Sequence, residues 1–297
     1  MTRILQRWPA SSMVILSFLI TYAVGIPLAI VLGPVEASLG LREELLSLWV
    51  MRWGATLAGF AVLAAVAGRR GFAIWWTQLL RWRVAPGYYL FIYLAALLLF
   101  VASLGLAFGF LPQPSADASI LAIAASYVGE IAYVTVTNGE ETGWRFVLLG
   151  LLLSRMRLFP ATLLVAAAWV SWHLPMYLFL GGGLTMFAPF VAIGLGLSVL
   201  LSWLYKATDS LLLPILFHGA VNATTYSFER HFPDLSAALE ARGPIGEWTY
   251  AAALLPVVLI VLLQRRRLFF GPVQIPDGDH WTGEGRRGHF RRSNVTD

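Results

Sequence analysis

The stretch Asn138-Gly139-Glu140-Glu141-Thr142-Gly143-Trp144-Arg145 sets two adjacent carboxylates and a guanidinium within six residues, between long apolar runs. Ionisable groups in such surroundings are costly and rare, and are read by default as functional. Glu141 and Arg145 are four apart, so on a helix they share a face and can pair. Glu140 points about 100° away, which frees it to face a cavity and serve as a general base. Two further apolar segments carry matching groups. Trp169 and His173 are four apart in Trp169-Val170-Ser171-Trp172-His173-Leu174-Pro175, and His218 and Asn222 are four apart in Phe217-His218-Gly219-Ala220-Val221-Asn222. Within each pair the side chains project together. One carboxylate, two imidazoles and an amide suffice for acid–base hydrolysis. Glu130, eleven residues before Glu141, lies at nearly the same helical angle; it extends that polar face or lines an outer water cavity.

A lone histidine in a membrane helix can simply bond a backbone carbonyl, and an asparagine can hold a helix pair together. Depth argues for more. Glu140 lies 15 residues before Arg155, and His173 lies 14 after Phe159, which puts both about 21–23 Å along their helices at 1.5 Å per residue. Measured from Asp209, Asn222 is about 20 Å along and His218 about 14 Å. The four groups can meet.

The elements that must position them are membrane helices. Hydrophobic residues make up 58% of the 297 and charged residues 12%, with a mean hydropathy of +0.72; a soluble domain carries about 25% charge. Cysteine is absent, so disulfides, thiol catalysis and cysteine-ligated metal are excluded. A spanning helix needs about 20 mainly apolar residues, and eight segments qualify: 12–33, 47–68, 87–112, 118–154, 159–180, 184–205, 211–228 and 246–264. The expected fold is all-α, a polytopic bundle of about eight transmembrane helices. The first run, Met13 to Leu32, is longer than the 7–15-residue core of a signal peptide and is expected to stay as a helix. The 37-residue segment 118–154 is too long for a simple span; it tilts, bends near Asn138-Gly139, or begins as a short outer helix.

Charge placement orients the bundle. With the N-terminus in the cytoplasm, the inner segments hold Arg3, Arg7, Arg69, Arg70, Arg81, Arg83, Arg155, Arg157 and Lys206. The tail adds Arg265, Arg266, Arg267, Arg286, Arg287, Arg291 and Arg292. The outer loops hold only Arg42, Arg230 and Arg242. That bias supports an N-in, C-in arrangement and accounts for the net charge of +5 without a nucleic-acid partner. The organisation expected is three helices over 1–117 with a basic cytoplasmic segment 69–86, a catalytic membrane core over 118–228, an outer loop and last helix over 229–264, and a basic disordered tail over 265–297. Residues 69–86, with Trp75, Trp76 and Trp82, read as an amphipathic interfacial segment; the polar loop 229–245 could gate access.

These residues resemble the CPBP family (CAAX protease and bacteriocin-processing, also Abi), which includes the Rce1-like prenyl-protein endopeptidases. The family pattern is Glu-Glu-x-x-x-Arg, then Phe-x-x-x-His, then His-x-x-x-Asn/Asp on successive membrane helices. Glu140, Glu141 and Arg145 match the first element, and His218 and Asn222 the third. His173 matches the second, with Trp169 where phenylalanine is usual; the packing role is expected to survive while the larger ring narrows the cavity. The resemblance covers 120–228 and implies peptide-bond hydrolysis within the membrane. Glu140 and His173 would then activate water, His218 and Asn222 would stabilise the oxyanion, and Glu141 and Arg145 would support. It also implies a membrane-associated or lipidated peptide substrate and a multi-pass protein of a bacterial cytoplasmic membrane. Glu140, His173 and His218 could alternatively hold Zn²⁺ as a three-ligand catalytic set; the reading carried forward requires no cofactor. A membrane peptide-binding scaffold or immunity protein is the alternative function. A proton-coupled transporter using Glu130, Glu140 and Glu141 would predict an internal repeat, and the sequence shows none.

Overall fold

A computed structural model describes residues 2–38, 47–109, 113–115, 118–180, 182–232 and 234–272. All the secondary structure among them is helical. The first span is α1 (Thr2–Arg7), α2 (Pro9–Phe18), a π-helical stretch (Leu19–Gly25) and α3 (Ile26–Ser38). It is followed by α4 (Ser47–Val66), α5 (Gly68–Leu79), α6 (Pro86–Phe108) and α7 (Ile120–Thr137). A second π-helix (Thr142–Leu148) leads into α8 (Leu149–Leu153). Then come α9 (Leu158–Leu180), α10 (Gly183–Thr208), α11 (Leu212–His231), α12 (Leu235–Arg242), α13 (Pro244–Gln264) and α14 (Arg266–Phe270).

Local sequence sets several boundaries. Pro86 opens α6 at a position where its missing N–H costs nothing, and Gly109 closes it at φ 74°, a left-handed geometry suited to glycine. The Ser119 hydroxyl caps α7 by accepting from the Ala122 N–H at 3.1 Å, satisfying one orphan donor of the first turn.

Among the described residues, six helices are long and apolar enough to cross a membrane: Pro9–Leu32, Pro86–Phe108, Ile120–Thr137, Leu158–Phe179, Gly183–Thr208 and Pro244–Gln264. Two shorter apolar pieces, Arg52–Val66 and Thr142–Leu153, add to them. The protein is an integral, multi-pass membrane protein. The long segment 118–154 breaks where a bend was one of the expectations: residues 138–140 leave helical geometry between α7 and the π-helix. Segment 211–228, expected to span, forms α11 but does not reach the hydropathy of the six.

Two ends of the bundle can be distinguished. At one, Gln6 donates to the Ala65 carbonyl, Tyr205 to Gln78 and Ser210 to the Arg81 carbonyl, and Phe159 packs on Phe270. At the other, the ends of α6 and α11 and the start of α12 close a small apolar cluster of Phe100, Leu104, Phe232 and Leu235. The main core runs from Leu5 to Phe269.

α5 has the amphipathic character expected of 69–86. Arg69 and Arg70 are exposed while Phe72 and Trp75 pack on the core. Loop 229–245 proves mostly helical, being the end of α11 and all of α12. Residues 266–270, expected within a disordered tail, form α14 with Phe269 buried. Arg42 and the rest of the tail, 273–297, lie outside the described residues.

Candidate active site

The break between α7 and the π-helix shapes the site. Asn138 Oδ1 accepts from the Glu140 N–H at 3.1 Å, a local turn that competes with helix. The helix resumes with π geometry over Thr142–Leu148, a widening often found at functional positions. Two glycines let α4 press against this bend. A Cβ on Gly139 would lie 2.6 Å from the Trp53 ring, and one on Gly143 would lie 2.3 Å from the Ala55 carbonyl oxygen. Trp53 Nε1 donates to the Thr137 carbonyl at 3.2 Å, Thr56 donates to the Gly139 carbonyl, and Trp75 Nε1 donates to Thr142 at 3.2 Å.

The adjacent carboxylates part company because Glu140 lies in the non-helical break while Glu141 begins the helix, and not through the helical phase expected from the sequence. Glu141 and Arg145 are both fully buried and meet twice, Nη1 to Oε1 and Nε to Oε2, each at 3.2 Å. Arg145 also donates to Ser198 at 3.1 Å and lies 5.0 Å over the Trp169 ring. Glu141 has a further partner that the sequence did not foretell: His218 Nδ1 is 2.7 Å from Oε1. An ionised carboxylate only accepts, so Nδ1 carries the hydrogen, and His218 Nε2 faces away from this contact.

Glu140 takes a different partner. Trp169 Nε1 donates to its Oε2 at 2.6 Å. Its other oxygen makes no protein hydrogen bond among the described residues, and the residue lines a cavity of about 680 Å³. Trp169 was expected only to fill space. Its indole instead contributes a donor that phenylalanine lacks. His173 Nδ1 lies 2.8 Å from the Trp169 carbonyl, which also only accepts, so a neutral His173 keeps its lone pair on Nε2. Trp169, Trp172 and Phe190 hold the ring, with centroids 4.8 to 5.3 Å away.

The same cavity is lined by Glu140, His173, His218 and Asn222. The structure therefore brings together the four residues that sequence reasoning singled out, from the α7–π-helix break, α9 and α11. Asn222 is half-buried and makes no side-chain hydrogen bond to a described residue. Glu130 stands apart. It is buried against α11, where Arg230 donates to it, and it does not line the cavity.

Sequence reasoning missed three contributors. Asn138 is 6% exposed, lines the cavity and has an unpartnered Nδ2. The π-helix of the first span supplies Thr21 and Tyr22 to the cavity wall; Trp172 Nε1 donates to Thr21 at 3.1 Å, and Tyr22 donates to the Trp172 carbonyl. The signal for Asn138 was present, because Asn-Gly is a turn dipeptide immediately before the carboxylates. No local signal marks Thr21 or Tyr22. Among the described residues no group of three His, Asp or Glu side chains is arranged to hold a metal ion.

The chain is a multi-pass helical bundle with a buried cluster of carboxylates, imidazoles and a guanidinium beside one cavity. Residues 124–224, about a third of the chain, match the family model described as type II CAAX prenyl endopeptidase Rce1-like. This match agrees with the family that the motifs resemble. A search of curated proteins finds no match to the chain.

Proposed function

We propose that the protein is an intramembrane endopeptidase that hydrolyses a peptide bond of a membrane-associated substrate by an acid–base mechanism. Glu140 and His173 activate the attacking water: the carboxylate accepts its proton, and His173 Nε2 shares the proton on its way to the leaving amine. His218 and Asn222 donate to the oxyanion of the tetrahedral intermediate. His218 can do this through Nε2–H only as an imidazolium, because its Nδ1 hydrogen is committed to Glu141.

The observation that carries the reading is the convergence of Glu140, His173, His218 and Asn222 on one cavity, within the segment that matches a peptidase family. The eight-crossing, N-in and C-in bundle fits it. α4 and α11 complete the alternation between the six long spans, and the placement of arginine sets the direction. The host membrane on this reading is a bacterial cytoplasmic one and the substrate carries no prenyl group, since bacteria mostly lack protein prenylation.

The test is cleavage by the purified full chain, with Glu140→Ala and His173→Ala as variants. Substrates come from comparing membrane peptides that accumulate in a Glu140→Ala strain with those in wild type. Both variants are expected to lose cleavage while keeping their fold. Wild-type turnover in either variant would sink the assigned mechanism, and an unchanged peptide profile would sink the proteolytic reading in favour of a binding scaffold.

A further inference from the structure

The cavity is not centred on the acid–base cluster. From Glu140 it runs past Asn222 and Thr225 to Glu229 at the end of α11, Glu240 in α12 and Glu247 in the first turn of α13. All of these belong to the end of the bundle that is poor in arginine. None of the arginines at the opposite end, such as Arg81, Arg155 or Arg157, lines it. By the positive-inside rule the cavity therefore leads to the outer face.

Its outer part is acidic. Glu229, Glu240 and Glu247 line it together with one guanidinium, Arg52. The other described cations at this end are turned elsewhere: Arg230 pairs with Glu130, and Arg242 lies 5.1 Å over the Phe108 ring. An independent feature at the inner end also points to a ligand. Asn138 is 6% exposed and its Nδ2 has no partner, although the residue lines the cavity. Its Oδ1 is held by the Glu140 N–H, which fixes the amide. A buried donor left unpaired is costly, and a peptide carbonyl lying along the cavity would satisfy it.

We propose that the cavity admits a peptide from the outer, arginine-poor face and selects one that carries lysine or arginine in the part lying between α11, α12 and α13. What happens to that peptide rests on the proteolytic reading; where it binds and what charge it carries do not. A cleft lined by one sign of charge concentrates ligands of the other sign and rejects those of its own. The substrate class is a membrane-anchored peptide with a basic flank outside the membrane.

The chain has no cysteine, so single cysteines report access directly. Glu240→Cys is expected to react with a membrane-impermeant maleimide in spheroplasts, and Arg157→Cys only in inverted vesicles. The reverse pattern would overturn the access route. For charge, the full-length Glu140→Ala protein in nanodiscs is titrated with two palmitoylated peptides identical except for a Lys-Lys or a Glu-Glu pair. The basic peptide is expected to bind at least about tenfold more tightly at low salt, a gap that the double variant Glu240→Gln/Glu247→Gln shrinks to about threefold or less. Equal binding of the two peptides, or a gap the double variant leaves intact, would overturn the selectivity. Because the binding protein is inactive, charge-selective binding with no cleavage by wild type would reject the protease and keep the proposal.

Discussion

Residues 124–224 and residues 9–79 make opposite contributions to one site. The first region supplies every ionisable group of the cluster: Glu140, Glu141, Arg145, His173 and His218. The second supplies hydroxyls, indoles and backbone surface, through Tyr22, Trp53, Thr56 and Trp75. The family match covers the first region and leaves the second out. Chemistry is thus concentrated in one segment of chain and its positioning in another. A site at membrane depth gains from that division. Neutral donors can hold the bend at 138–140 without adding charges that would need partners of their own.

Substitutions can break this contrast, and the largest effect should come from the chemical side. Glu140→Gln keeps the shape and the Trp169 contact but removes the base, so turnover should fall by about 10⁴-fold, with substrate binding retained. Cleavage within tenfold of wild type would move the base elsewhere. Next comes Arg145→Ala, which strips a buried carboxylate of its ion pair. It should cost about 3–5 kcal/mol of stability, read as unfolding free energy in mixed micelles. A loss below about 1 kcal/mol would mean that His218 alone holds Glu141.

The positioning side predicts smaller losses. Gly143→Ala drives a methyl into the Ala55 carbonyl and should cost about 1–3 kcal/mol. Gly129→Ala, where a Cβ meets nothing within 4 Å, should be neutral or slightly stabilising. Equal effects at the two glycines would show that α4 does not press on the bend. The smallest and most specific change is Trp169→Phe, which installs the residue usual in the family. It removes only the donor to Glu140 at the level of hydrogen bonding, and about tenfold should be lost in kcat with little change in thermal midpoint. An unaltered kcat would reduce the indole to packing.

Much of the site was legible because membrane sequences are sparse in charge. With so few ionisable residues among so many apolar ones, Glu140, His173 and His218 stand out, and counting residues from the segment ends placed them at similar depth. The i,i+4 spacing also paired Glu141 with Arg145 correctly, although Glu140 leaves it through the break at 138–140 and not through helical phase. Less legible were the partners. That Glu141 is shared between Arg145 and His218, or that Trp169 bonds Glu140, depends on how α9 and α11 are rotated about their axes, and hydropathy does not carry rotation in a bundle apolar on most sides. The break at 138–140 was one of three options for a segment too long to span. Choosing among them needed α4, whose Trp53 and Thr56 satisfy the carbonyls freed there.

The sequence by itself determined that this is a multi-pass membrane protein, which polar residues meet at one cavity in its apolar interior, and which of the two adjacent carboxylates is paired with arginine. Those follow from composition, arginine placement and helical periodicity, all of which act along one chain. Tertiary structure alone decided what holds Glu140 in place, which atom of each histidine remains for chemistry, and toward which end the cavity runs. Hydrogen bonds such as Trp169 to Glu140 and Tyr22 to Trp172 join residues 29 and 150 positions apart. Only the packed bundle brings such donors and acceptors within reach.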